Sequence, residues 1–141
     1  MATNRFAKFN KKKIFEVDRN LFNQEKFLKA KDIYEMDNGQ PEPHLLVGIW
    51  RHDTSEEDLE MYPTLPEYSY TLGVKIGEDY FYVNAPDYMR KDFDEILKDP
   101  NCIFDINAGR AAICAISYEK TRRDKVSKEL VTENYYGFEF C

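Results

Sequence analysis

Residues 68–84, Tyr-Ser-Tyr-Thr-Leu-Gly-Val-Lys-Ile-Gly-Glu-Asp-Tyr-Phe-Tyr-Val-Asn, read as a β-hairpin. A two-residue turn at Gly77-Glu78 puts glycine in the first central position, which suits a type II′ turn. Counting outward pairs Lys75 with Tyr80, Val74 with Phe81, Gly73 with Tyr82 and Leu72 with Val83. Side chains alternate between the faces of a strand. Leu72, Val74, Phe81 and Val83 therefore make one face, and it is apolar. Thr71, Gly73, Lys75, Tyr80 and Tyr82 make the other. The expectation is a core face and an outer face. The outer one turns two tyrosines and a lysine away from the interior, and Gly73 leaves the Tyr82 ring uncrowded.

Other elements fall out on either side. Upstream, Phe27, Leu28, Ile33 and Tyr34 fit either a short helix or a strand. Asp37-Asn38-Gly39, with Pro41 and Pro43, is a break. Leu45 to Arg51 reads as a strand. The connection from His52 to Glu67 holds Asp53, Glu56, Glu57, Asp58, Glu60 and Glu67 with no Lys or Arg, and Ser55 is placed to cap a short helix there. Downstream, Pro86-Asp87 opens a helix. Its apolar stripe is Met89, Phe93, Ile96 and Leu97, and Asp99-Pro100 ends it. Arg110 to Tyr118 reads as a central strand. Residues 119–129 read as a polar loop, and Leu130 to Phe140 as a last strand that completes the sheet. The alternative for the aromatic tail from Tyr135 to Cys141 is a partner-docking peptide.

The bulk numbers bound the class. A chain of 141 residues is one domain on length and buries enough surface to need no staples. The division expected is a flexible basic arm, residues 1–13, and a single globular domain, residues 14–141. The arm carries Arg5, Lys8, Lys11, Lys12 and Lys13 and no acid. The net charge is −6, so the rest of the chain stands at −11. Such an acidic body disfavours general duplex binding. Three cysteines, Cys102, Cys114 and Cys141, show no zinc-type spacing and read as reduced thiols. The N-terminus lacks the apolar run of a secretory signal. The longest apolar run, Ala111 to Ile116, is far short of a membrane span. A soluble cytoplasmic protein is expected, with no membrane partner. Homo-oligomerisation is left open.

Catalytic motifs are missing. There is no P-loop and no dinucleotide fingerprint. His44 and His52 have no partner at metal-ligand spacing. Arg51-His52-Asp53 with Ser55 does not make a triad, because neighbours on one strand point oppositely. Asp92, Asp94 and Glu95 read as the solvated face of their helix. The expectation is a protein that is not an enzyme and needs no cofactor or metal.

From residue 45 onward the order is strand, long loop, two-stranded hairpin, helix, strand, loop, strand. This order, over about two thirds of the chain, resembles the OB-fold. The resemblance implies an α+β fold: a mostly antiparallel five-stranded OB-like barrel or curved sheet, with one helix between strands 3 and 4 and an N-terminal extension. It also implies single-stranded DNA or RNA as ligand, held by aromatic stacking beside a basic path. Tyr80, Tyr82 and Lys75 would supply the platform. Lys120, Arg122, Arg123 and Lys125 of the 119–129 loop would supply the phosphate contacts, with Lys11 to Lys13 beside them. The acidic connection would repel phosphate, so either it lies away from the groove or the function is a different one. Small acidic inhibitors from phages and mobile elements, anti-CRISPR proteins among them, are similar in size and composition. In that reading Asp53, Glu56, Glu57, Asp58 and Glu60 would bind a nucleic-acid-binding protein by charge complementarity.

Overall fold

The computed structural model describes residues 14–141; the basic arm with Lys11 to Lys13 lies outside the described residues. The fold is α+β. Six strands form one curled mixed sheet in the order β1-β4-β3-β2-β5-β6. They are β1 (Phe22–Leu28), β2 (His44–Asp53), β3 (Tyr68–Ile76), β4 (Asp79–Asn84), β5 (Ala112–Arg123) and β6 (Leu130–Phe140). The helices are α1 (Ala30–Met36), α2 (Glu56–Met61), α3 (Arg90–Lys98) and α4 (Pro100–Asn107).

The hairpin forms in the expected register, with Lys75 opposite Tyr80 and Leu72 opposite Val83. Gly77 sits at φ +62° and Glu78 is not at positive φ, as a type II′ turn requires. Leu72, Val74 and Val83 are fully buried, and Phe81 packs against them. The α3 stripe behaves as read. Met89 and Phe93 are buried and Ile96 and Leu97 lie against the core. Phe93 touches Tyr70 and Phe140, so Phe93→Ala on this helix would cost about 3–5 kcal/mol.

The five-strand, one-helix expectation is corrected in two places. First, the N-terminal segment supplies a sixth strand: β1 pairs parallel with β4, matching Phe22 to Tyr80 and Leu28 to Val83. A bulge between Asn23 and Phe27 lets β1 present Phe22 to one face and Leu28 to the other. Asn23 holds it, accepting from the N–H groups of Glu25 and Lys26 at 3.0 and 3.2 Å. Second, the chain between β4 and β5 holds two helices. Pro100 ends α3 as expected but also begins α4, where its missing N–H is no loss and the Asp99 side chain caps the Asn101 N–H at 2.9 Å.

The outer hairpin face is not open, and this corrects the placement of Tyr82. Its ring is 4% exposed. Phe22 of β1 stacks on it at 4.5 Å, and the Arg19 Nε donates to its hydroxyl at 3.0 Å. Trp50 joins from β2, edge-on to both rings. A Cβ at Gly48 would stand 2.4 Å from the indole, and one at Gly73 2.8 Å from it, so these two glycines leave room for Trp50 close to the sheet. The Arg19 guanidinium lies over the indole at 4.4 Å. The sheet thus carries a small aromatic cluster on its second face.

The thiols also differ from expectation. Cys114 and Cys141 form a disulfide with Cα atoms 6.3 Å apart, and Cys102 is free. The β5–β6 register explains it. Ile113 faces Phe140, so Cys141 comes diagonal to Cys114. Two polar ties complete the frame. Asp37, at the end of α1, is buried and pairs with His44 Nε2 at 2.8 Å. Asp94 is not a solvated acid, because Tyr68 and Tyr70 of β3 both donate to its carboxylate and tie α3 to the sheet. Among the described residues no helix is long and apolar enough to cross a membrane.

Candidate functional site

The longest strands, β5 and β6, make a hairpin that projects past the rest of the sheet. Residues 119–123 belong to β5, not to a loop. Both faces of the projecting part meet water, so a polar sequence is tolerated in a strand there. The turn is held by Asp124, whose Oδ1 accepts from Val126 N–H at 2.7 Å and Ser127 N–H at 3.2 Å.

Counting back from Arg123 opposite Leu130 puts Tyr118 opposite Tyr135, on the face away from Ile113 and Ala115. The two rings lie 5.9 Å apart and nearly parallel, at 21°. Lys120 stands 5.6 Å from the Tyr135 ring centre. Arg122 donates to Glu133 at 2.7 Å, and the Tyr135 hydroxyl donates to the other oxygen of that carboxylate at 2.8 Å. These bonds, Arg122 first, hold the Glu133 carboxyl below its ordinary range, and the same carboxylate raises the Tyr135 phenol. Beside the pair runs an open groove of about 420 Å³, lined by Tyr88, Ile116, Tyr118, Lys120, Phe138 and Glu139. Tyr88 meets Tyr118 edge-on at 6.4 Å, and burial raises its phenol above the ordinary value.

The residues expected to bind nucleic acid are not brought together. Lys75 and Tyr80 are half-buried, with the ammonium 5.7 Å from the Tyr80 ring and the Phe22 ring tilted against it at 5.4 Å. Tyr82 is covered. Lys75 lies in one row with Leu45 and Ala112, eight residues along β5 from Lys120, roughly 27 Å. Lys120 and Arg122 do share a face with the Tyr118–Tyr135 pair. Arg123 points the other way and donates to the Lys128 carbonyl at 2.9 Å, while Lys125 is exposed in the turn. Sequence reading missed Tyr118, Tyr88 and Ile116. Running the hairpin count inward from a turn at 124–129 would have paired Tyr118 with Tyr135.

The acidic segment stands apart from this face. β2 and β5 are antiparallel and meet only at their first residues, His44 with Ile113 and Leu45 with Ala112. The two strands therefore run away from each other, and Asp53 and Arg123 end at opposite ends of the sheet. Asp53 pairs with Arg51 at 2.9 Å. Glu56, Glu57, Asp58 and Glu60 are exposed on α2, which Ser55 caps at the Asp58 N–H, 3.2 Å. Exposed apolar side chains follow directly: Met61, Tyr62 and Leu65.

A second polar cluster surrounds Tyr68. Arg51 and Arg90 lie over its ring at 4.1 and 5.5 Å, and Tyr68 and Tyr70 share Asp94. Burial, then the Asp94 bond, pushes the Tyr70 phenol up to about 12. The two phenols hold the Asp94 carboxyl below its ordinary value. Both phenols are committed to Asp94, and the two arginines are paired with Asp53 and Asp87, so the cluster reads as a structural tie.

No protein-family model, characterised protein or solved structure matches this chain.

Proposed function

We propose that this chain is a non-enzymatic single-stranded DNA- or RNA-binding protein. Its OB-like sheet would receive the strand on the outer face of the β5–β6 hairpin, not on the β3–β4 hairpin. The observation that carries the reading is the Tyr118–Tyr135 pair with Lys120 and Arg122 on the same face. Unpaired bases stack on aromatic rings at about 1–3 kcal/mol each, and nearby cations hold the backbone. The groove beside the pair is apolar enough to take a base that leaves the stack. The acidic segment lies at the other end of the sheet, which removes the main electrostatic objection. The strand order supports the OB-like part. Counted from β2, the strands lie third, second, first, fourth, fifth, with the helices between third and fourth.

The test is a titration of a labelled single-stranded oligonucleotide by fluorescence anisotropy at low and moderate salt. Tyr118→Ala is expected to weaken binding about tenfold. Lys120→Ala with Arg122→Ala lowers the salt dependence. Tyr80→Ala leaves binding unchanged. Absence of binding by the natural chain at low salt overturns the reading.

A second reading rests on α2. Met61, Tyr62 and Leu65 are exposed beside the acids, a mixture that suits a protein partner with a basic, partly apolar surface. Here the chain would be an inhibitor or adaptor of the anti-CRISPR kind that occupies a nucleic-acid-binding partner. Replacing Glu56, Glu57 and Asp58 with Ser would abolish that interaction and leave oligonucleotide binding intact.

A further inference from the structure

The groove beside the tyrosine pair is polarised along its length. Lys120 lines one end and Glu139 the other. Their cross-strand partners are Glu133 and Cys114, which places them six residues apart along one face, roughly 20 Å. Between them the floor is Ile116, with Gly137 opposite. Gly137 adds no side chain, and the Tyr88 ring stands over it. The Tyr88 hydroxyl is committed to the Phe138 backbone and is not free to read a ligand. Ile116 and Phe138 have no polar atoms to offer. The Tyr118 hydroxyl both donates and accepts, so it does not discriminate. Glu139 differs from all of these. It is exposed, and among the described residues its side chain makes no hydrogen bond or ion pair.

We propose that Glu139 makes this groove selective for nucleobases that carry an exocyclic amino group, cytosine above all, over thymine and uracil. The inference rests on the nucleic-acid reading given above. An ionised carboxylate only accepts hydrogen bonds. Cytosine presents an N4 amino donor, and glutamate is a recognised acceptor for it. Thymine presents the O4 carbonyl at that position, as uracil does, and there acceptor would meet acceptor. The cation that holds the phosphate stands at the far end of the groove. The carboxylate meets the edge of a base, while Lys120, roughly 20 Å away, meets a phosphate further along the same strand.

Anisotropy titrations of the full chain with labelled oligo-dC and oligo-dT of about 15 nucleotides test this. Oligo-dC is expected to bind at least about fivefold tighter, the effect of one hydrogen bond gained or lost. Glu139→Gln supplies an amide that donates as well as accepts, so the dC-to-dT ratio falls towards one. Lys120→Ala weakens both oligonucleotides and keeps the ratio. If both bind equally, or if the ratio survives Glu139→Gln, the selectivity is wrong and the nucleic-acid reading stands. If neither binds at low salt, both fall together.

Discussion

The Tyr88 hydroxyl donates to the Phe138 carbonyl at 2.7 Å and accepts the Phe138 N–H at 2.9 Å. Phe138 lies on β6, an edge strand, and a strand edge leaves backbone groups without partners. One phenol from the turn after β4 satisfies both groups where the sheet curls round. Tyr88→Phe removes both bonds and leaves a partly buried donor and acceptor unpaired. Urea denaturation is expected to show a loss of about 1–3 kcal/mol. A Cβ at Gly137 would stand 2.3 Å from that hydroxyl, so Gly137→Ala expels it and costs a similar amount. The double variant should lose clearly less than the sum, because the same bonds are removed twice. Additive losses would contradict this arrangement.

The disulfide predicts a thiol count. Cys102 is the one free cysteine among the described residues. Denatured, unreduced protein should react with one equivalent of maleimide, and reduced protein with three. Reduction should also lower unfolding stability by about 3 kcal/mol, since Cys114 and Cys141 are 27 residues apart. Three reactive thiols without reductant would show that the bond does not form.

Stability at the extremes of pH follows from the Tyr68–Tyr70–Asp94 cluster. Tyr70 has its phenol raised to about 12 in the folded chain, against an ordinary value near 10. A raised folded pKa contributes stability that is complete below the unfolded value and lost as pH rises through the folded one. The alkaline loss should therefore fall between about pH 10 and pH 12, and Tyr70→Phe should reduce it. Asp94 is shifted the other way. Its contribution is complete above the ordinary carboxyl range near 4 and fades as pH falls through the lower folded value. Denaturation midpoints measured across pH, with Tyr70→Phe and Asp94→Asn beside the natural chain, check both limbs.

Trp50, the chain's one tryptophan, reports on the second face of the sheet. Arg19 covers its indole at 4.4 Å and bonds Tyr82. Arg19→Ala should cost about 1–2 kcal/mol and shift the tryptophan emission to the red as water reaches the ring. An unshifted spectrum would mean that Arg19 does not cover it.

Much of the frame was legible locally. The register of the β3–β4 hairpin follows from one turn glycine, the buried side of α3 from helical spacing, and the limits of β6 from its alternating aromatic residues. What could not be read depends on contacts distant in sequence or on solvent. Tyr82 sits on the face the alternation gives it, but Phe22, sixty positions upstream, arrives to cover it through a parallel pairing that no local pattern encodes. The strand from Glu119 to Arg123 is polar because both of its sides are wet, so its composition imitates a loop. Pro100 stops one helix and starts the next, and only the stop is visible from spacing. For the candidate site, Lys120 and Arg122 were found by charge. Tyr118 escaped because its partner across the hairpin depends on where the turn falls.

The parallel seam between β1 and β4 has a consequence for anyone trimming this chain. Residues 14–28 look like an expendable leader in front of the hairpin, yet they shield its flank. A version beginning at Ala30 would present β4 as a bare, aromatic-rich edge, and such molecules would be drawn to one another through it.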